Sequence, residues 1–361
     1  MGAFEKAIDY FKKYAAVSPG DANPLDSMAD IYWRMGRFDE AMAKYKEALE
    51  VRPEFYMTGG KLSYVYAMRE NYSESMRLLD QSIAATADTG WQAVNYWIKG
   101  FFDHWLGKTN QALLDIHQDR ELAEAVESEY LSTGADWLEA HVRYDCGELE
   151  RGLECYQNWL DYRRKYSQAT INYSVAGWNF YSGLVSLKQG QIDSARSRLA
   201  EIKSYIPQLS TPTGKVEITY RYDFLNGEIT LAEGNPEAAI AIFEKMMSQQ
   251  VPVELSYPEI VFYNMPFIRG GLARAYLKAG YQDRAITEYE RLTSFNPNSM
   301  DRHLIHPKYH YRLAKLYEEK GLIDKAIQRY EKLLEIWKDA DEDLTEKIDA
   351  QKRLATLIKE K

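Results

Sequence analysis

Small and large apolar positions return along the chain in one fixed constellation. A small residue is followed after seven positions by Gly, after five more by a second small residue, and after four more by a large apolar side chain. Ala29, Gly36, Ala41 and Tyr45 form the clearest copy. The second small position recurs at Ala7, Ala41, Ser75, Ala112, Gly152, Ala195, Ala239, Ala285 and Ala326. The large apolar position beyond it is Phe11, Tyr45, Leu79, Ile116, Tyr156, Leu199, Phe243, Tyr289 and Tyr330. Successive copies lie 34, 34, 37, 40, 43, 44, 46 and 41 residues apart, a period that marks a stacked array of one supersecondary unit.

Each residue type in the constellation has a physical reason. Gly stands at 36, 107, 147, 190, 234, 280 and 321, and only Glu70 breaks the series. A helix that ends there can reverse through a left-handed residue, which glycine adopts without a Cβ penalty. The first small position (Ala29, Ser63, Gly100, Ala140, Gly183, Gly227, Ala273 and Ala314) lets one helix approach another, and the second small position does the same from the far side of the turn. The unit is therefore predicted to be a pair of antiparallel helices crossing at small residues.

The small, Gly, Ala, aromatic and Pro positions resemble the tetratricopeptide repeat, and the first two intervals have its length. Pro19, Pro53 and Pro297 occupy the closing position, and Pro207 does so in a longer unit. The resemblance implies an all-α, right-handed superhelical solenoid of about eight full units over residues 1–342, with short units up to about 88 and longer ones after. Residues 4–18 match only the second helix of a unit. A lone half unit leaves an apolar face uncovered, so the chain is expected to be the C-terminal piece of a longer protein and to self-associate as a homodimer through that half. Residues 343–361 read as a charged capping helix with Leu344, Ile348, Leu354 and Ile358 as its apolar positions. The closing unit resembles arrays found behind bacterial kinase, cyclase or transcription-regulator domains.

The middle units depart from the family. Their extra 6 to 12 residues allow either longer helices or longer links. The stretches 206–215, 249–259 and 296–307, rich in Pro, Ser, Thr and Asn, read as links. Where the family expects apolar side chains, the unit before Gly190 has Asn179, Ser182 and Ser186, with Phe180, Leu184 and Leu187 displaced beside them. Either such first helices are rotated or their apolar faces are unusually wide. In the family the first helices line a concave groove. By that register Trp97, Phe101, Trp137, His141, Phe180, Leu184 and Phe224 form an aromatic-rich stripe, which reads first as replacement core and, as the alternative, as partner-binding anchors.

One family mechanism is testable residue by residue. A clamp for a chaperone's C-terminal carboxylate needs Lys and Asn, then Asn, then Lys and Arg on three successive first helices. The last unit supplies Lys308 and Arg312, but Gly271, Phe224 and Glu228 stand where the other groups are required. An adaptor for chaperone tails is thus disfavoured.

Composition narrows the chemistry. A net charge of −9, spread along the chain, argues against a nucleic-acid surface. No apolar run reaches the length of a membrane span, so no membrane insertion is expected. Cys146 and Cys155 are too few for a disulfide-built domain and fit a cytoplasmic protein. They read as small buried hydrophobes, with a redox pair as the alternative. His303, His306 and His310 could share one side of a helix start, but Pro307 breaks the spacing and no Cys or carboxylate triad accompanies them. They read as polar linker residues, with metal binding as the lesser alternative. No phosphate-cradling loop or nucleophile elbow occurs.

The sequence thus anticipates no catalytic residue, no cofactor and no metal. It points to a non-catalytic scaffold or sensor that binds a protein, a peptide or a fused domain in the groove. The alternatives are a solenoid that holds a sugar or cell-wall fragment beside an enzyme, and a plain structural spacer.

Overall fold

In the computed structural model, residues 2–55, 57–248, 264, 266–298 and 302–360 are described, and the regular elements among them are helices. They are α1 (Gly2–Val17), α2 (Asn23–Arg34), α3 (Phe38–Val51), α4 (Thr58–Met68), α5 (Tyr72–Ala85), α6 (Thr89–Trp105), α7 (Thr109–Ala125), α8 (Glu129–Cys146), α9 (Leu149–Tyr166) and α10 (Ile171–Lys188). There follow α11 (Ile192–Tyr205), α12 (Pro212–Ala232), α13 (Pro236–Ser248), α14 (Gly271–Lys278), α15 (Gln282–Leu292), α16 (Pro307–Glu319), α17 (Ile323–Ile336) and α18 (Thr345–Glu360). A single helical turn, Pro266–Arg269, precedes α14. From α2 onward the even-numbered helices pack against their successors, as the repeat predicts, with α8 meeting α9 through His141 and Tyr156 and at Gly152.

Both devices of the repeat are visible. All seven turn glycines have φ between 72° and 83°, and Glu70 adopts φ 57° at the position where the glycine is missing. The turn geometry is thus imposed by the hairpin even on a side chain that disfavours it. At the crossings the paired small residues are fully buried, for example Ala29 with Ala41. In α12 a Cβ on Gly227 would lie 2.5 Å from the ring of Phe243 on α13, so only glycine lets that ring pass.

The extra length of the middle units goes largely into helices. The helices from α6 to α10 have 17 or 18 residues and α12 has 21, against 11 to 14 in α2 to α5. The expected link over 206–215 is mostly helical, because a 3-10 turn follows α11 and α12 begins at Pro212. The link over 249–259 lies outside the described residues.

Two compact units result. The first contains Met1–Leu131 and takes back Ser294–Ile305, and the second holds Ser132–Val253, Phe262–Thr293 and His306–Lys361. At the start of the first unit, α1 leaves Tyr10 72% and Val17 80% exposed. At the other end α18 packs on α17, but with a register different from the expected one. Ile348 and Ile358 are 50% and 55% exposed, whereas Lys347, Ala350 and Leu357 are buried. The seam runs through 347, 350, 354 and 357 because the Lys347 ammonium is satisfied inside it, donating to the Ala340 carbonyl at 2.7 Å.

Candidate functional site

In the first unit, an extended segment of chain lies against the helices of the first two hairpins. Tyr64, in the middle of α4, donates its hydroxyl to the main-chain oxygen of Arg302 at 2.6 Å. Tyr72, the first residue of α5, donates to the main-chain oxygen of Ile305 at 2.9 Å. Trp105, at the end of α6, orients that second hydroxyl by donating Nε1 to it at 3.2 Å. Burial raises the Tyr72 pKa, so its hydroxyl stays protonated and remains a donor. The two oxygens held are three residues apart in a stretch without regular structure.

Side chains complete the contact. The Arg302 guanidinium stands 4.9 Å from the ring of Phe38 and 5.9 Å from that of Trp33, within reach of cation–π attraction. Phe295 packs its ring 5.4 Å from Phe38, and Arg69 lies 5.7 Å over Phe295. Leu304 and Ile305 are buried. Gly36 makes room, since a Cβ there would meet the Pro297 oxygen at 2.6 Å and Arg302 Nη2 at 3.2 Å. Among the described residues, buried Trp33 keeps an Nε1 donor without a hydrogen-bond partner, an omission that costs about 1–3 kcal/mol.

An ion network joins the same hairpins. Lys61 donates to Asp26 at 2.7 Å and to Asp30 at 2.9 Å, while Thr58 donates to Asp26 at 2.6 Å and Tyr45 to Asp30 at 2.5 Å. Burial opposes the charge on Lys61, yet the two carboxylates outweigh it and raise the pKa. This lysine therefore stays charged and ties α4 to α2.

The aromatic stripe anticipated from register lies within the helix packing. Trp97, Phe101, Trp137, Phe180, Leu184 and Phe224 are each no more than 8% exposed. Phe101 packs against Phe102 and Trp105 of its own helix, at ring separations of 5.2 and 5.6 Å. Trp137 and His141 pack with tilted rings 4.1 Å apart, and His141 reaches Tyr156 on α9 and Tyr181 on α10 at 5.8 and 5.5 Å. His141 donates Nδ1–H to the Trp137 carbonyl at 2.7 Å, and burial pushes its pKa down to about 3, so the ring is neutral. Phe180 meets Phe224 at 6.2 Å, and Phe224 meets Phe243 at 5.8 Å. Trp97, Phe101, Trp137, Phe180, Leu184 and Phe224 are thus taken up in helix packing and expose little surface.

Other groups in the second unit are engaged as well. Arg221 Nη2 donates to the Tyr173 hydroxyl at 3.0 Å, which donates to Glu217 at 2.7 Å. Lys188 lies 3.9 Å over the Tyr144 ring and donates to the Tyr144 carbonyl. Lys308 stands 3.9 Å from Asp145 and 3.7 Å from Glu346. His306 and His310 are buried, as is His303 in the first unit; His306 accepts the Lys308 N–H through Nδ1 and caps α16, and His310 lies 3.3 Å from Arg329. Cys155 is buried and Cys146 exposed. Asp136, Glu139 and Cys155 bring three atoms able to bind a metal within 4.8 Å of one another. Arg143, however, donates to Glu139 Oε1 at 3.1 and 3.2 Å, which already neutralises that carboxylate. Among the described residues, no helix is long and apolar enough to cross a membrane.

The residues that hold the extended segment were not singled out by sequence. Tyr64 follows the small Ser63 and Trp33 lies four positions beyond the small Ala29, so the repeat register carried a faint signal. Arg-His-Leu-Ile inside a Pro- and Asn-rich stretch carried none.

A family profile described as the tetratricopeptide repeat matches residues 22–55, and a second profile of the same description matches 268–299 and 307–337. Comparison with curated proteins finds no match. Among solved structures the chain is similar to the APC/C hetero-tetramer Cut9-Hcn1, with 16% identity over 97% of this chain and a TM-score of 0.44. It spans 59% of that chain's length. It is also similar to a human IFIT1 dimer with m7Gppp-AAAA (15% identity, 93% of this chain and 81% of that one, TM-score 0.46). A third likeness is to a tetratricopeptide repeat protein from Parabacteroides merdae (12% identity, 87% and 98%, TM-score 0.42).

Proposed function

Since the chain carries tetratricopeptide repeats, we propose that it is a non-catalytic interaction module. It binds an extended segment of another protein, or of a domain joined to the same chain, on the face formed by α2, α4 and the start of α5. The observation that carries this reading is the pair of tyrosine hydroxyls, Tyr64 and Tyr72, aimed at main-chain oxygens three residues apart. Donors that address the backbone recognise an extended chain whatever its side chains, and neighbouring apolar pockets then add selectivity. Sugar stacking on the aromatic stripe has less support, because those rings are taken up in helix packing.

The test is a selection from a random-peptide display library, run in parallel on the intact chain and on a Tyr64→Phe/Tyr72→Phe variant of matched helicity. Peptides enriched on the intact chain and lost on the variant support the reading. Enrichment of nothing on either, or of the same peptides equally on both, overturns it.

A further inference from the structure

The extended segment and the face beneath it belong to the same chain, yet they are 238 residues apart in sequence at the Tyr64–Arg302 contact. The segment is not part of any helical hairpin. It falls between α15 and α16, which are both in the second unit, while Ser294–Ile305 itself belongs to the first. Its recognition is that of a ligand. Two side-chain donors hold its backbone, a guanidinium lies against two aromatic rings, and two aliphatic side chains are buried. It is also an incomplete ligand, for Trp33 Nε1 remains without an acceptor among the described residues.

We propose that residues 302–305 are a resident pseudo-ligand. The outside partner is an extended peptide carrying an arginine followed, two and three positions later, by aliphatic side chains, and it displaces the resident copy. This rests on the reading of the same face as a peptide site. Three physical facts favour it. An outside peptide inherits the backbone contacts, since Tyr64 and Tyr72 donate to oxygens that every residue possesses. The guanidinium position between Phe38 and Trp33 selects arginine, whose flat cation stacks on rings better than lysine does. An outside peptide that brings one further oxygen to Trp33 Nε1 satisfies a donor that the resident segment leaves bare.

Tethering explains why the resident copy occupies the face despite that defect. A segment joined to its site is present at an effective concentration near the millimolar range, so it holds the face against a free peptide of equal intrinsic affinity. The resident copy therefore sets a threshold. Only a partner that binds better, or one that is itself presented at high local concentration, displaces it.

The experiment uses the full chain and a fluorescein-labelled peptide of sequence SFNPNSMDRHLI, which is residues 294–305 supplied in trans. Binding by fluorescence anisotropy is compared between the wild type and an Arg302→Ala/Leu304→Ser/Ile305→Ser variant, whose resident segment has lost its anchors. Helicity and melting of both are recorded. The expected result is a still-folded variant that binds the peptide about 10-fold or more tighter than the wild type. Adding Tyr64→Phe and Tyr72→Phe to that variant should reverse the gain, and a peptide with the same three residues replaced should not bind. Equal binding by wild type and variant shows that the resident segment does not compete; that overturns this inference and leaves the peptide-site reading standing. No binding by a folded variant overturns both. A variant that loses its helicity shows that the segment is structural core, which also overturns the inference.

Discussion

The two units spend their apolar surface differently. In the first, the short hairpins α2/α3 and α4/α5 keep a face on Trp33, Tyr64 and Tyr72 that is covered by a piece of extended chain. In the second, the long helices α8, α10 and α12 turn comparable aromatic residues into one another: His141, Phe180 and Phe224 meet partners on neighbouring helices, and Trp137 packs on His141. Helix α10 is buried on nearly every side, including Ser174, Asn179, Ser182 and Ser186. A helix buried all round has no face to lend, whereas a helix with one open stripe has. The recognition proposed above therefore falls to the first unit, whose short hairpins keep an open stripe.

That contrast breaks most sharply under large-to-small substitution. Phe224→Ala in the second unit removes a fully buried ring that touches Phe180 and Phe243, and it should cost about 3–5 kcal/mol of stability in denaturant melts. Leu304→Ala, in the segment covering the first unit, should cost clearly less, because a tethered surface segment can lift away instead of leaving a cavity. Equal losses for the two would erase the distinction between core and covering.

A second effect, opposite in sign for the two units and read as a slope, concerns pH. In the first unit, burial is the main cause that raises the Asp103 pKa, followed by its hydrogen bond and repulsion with Asp115, and burial pushes Asp119 up to about 8. Groups whose folded pKa is raised contribute stability at low pH, which is lost as the pH climbs from about 4 towards 8. In the second unit His141 is depressed to about 3, so its contribution is present above about 6.5 and is lost as the pH falls. Each group changes the slope by about 1.4 kcal/mol per pH unit within its window. Asp119→Asn should therefore flatten the loss between pH 4 and 8, and His141→Gln should flatten the loss below 6.5. If each variant leaves the pH profile of thermal melting unchanged, the buried groups are not the source of these slopes.

The same contrast explains what could be read in advance. The hairpins were legible because their turn and crossing positions are local: a small residue, seven positions, a Gly. The faces of the middle helices were not. Ser186 and Asn179 look like surface residues by type, but Ser186 donates to the Ser182 carbonyl at 3.0 Å and Asn179 to the Val175 carbonyl at 3.0 Å. With their polar atoms turned back onto their own helix they are buried as readily as apolar residues. Of the two possibilities the register left open for α10, the wide face is the one observed. The covering segment was illegible for a different reason, since nothing within four residues of Arg302 encodes a partner 238 positions earlier.

The smallest expected effect sharpens the local half of that lesson. Glu70 sits at φ 57° in the turn of the second hairpin, where every counterpart in the series is glycine. The backbone there is held by the hairpin itself, with the Glu70 N–H donating to the Ala67 carbonyl at 2.9 Å and the Asn71 N–H to the Tyr66 carbonyl at 3.1 Å. A side chain in the left-handed region costs about 1–2 kcal/mol, and the extra freedom that glycine gives the unfolded chain returns part of it. Glu70→Gly should thus raise stability by roughly 0.5–1 kcal/mol in denaturant melts. Glu127, also left-handed at φ 53° but between hairpins rather than within one, offers a second site for the same exchange. A gain at both sites would show that relief of φ strain is what matters. A gain at 70 alone would tie it to the hairpin turn, and no gain at 70 would mean that the glutamate makes a compensating interaction which the turn geometry does not reveal.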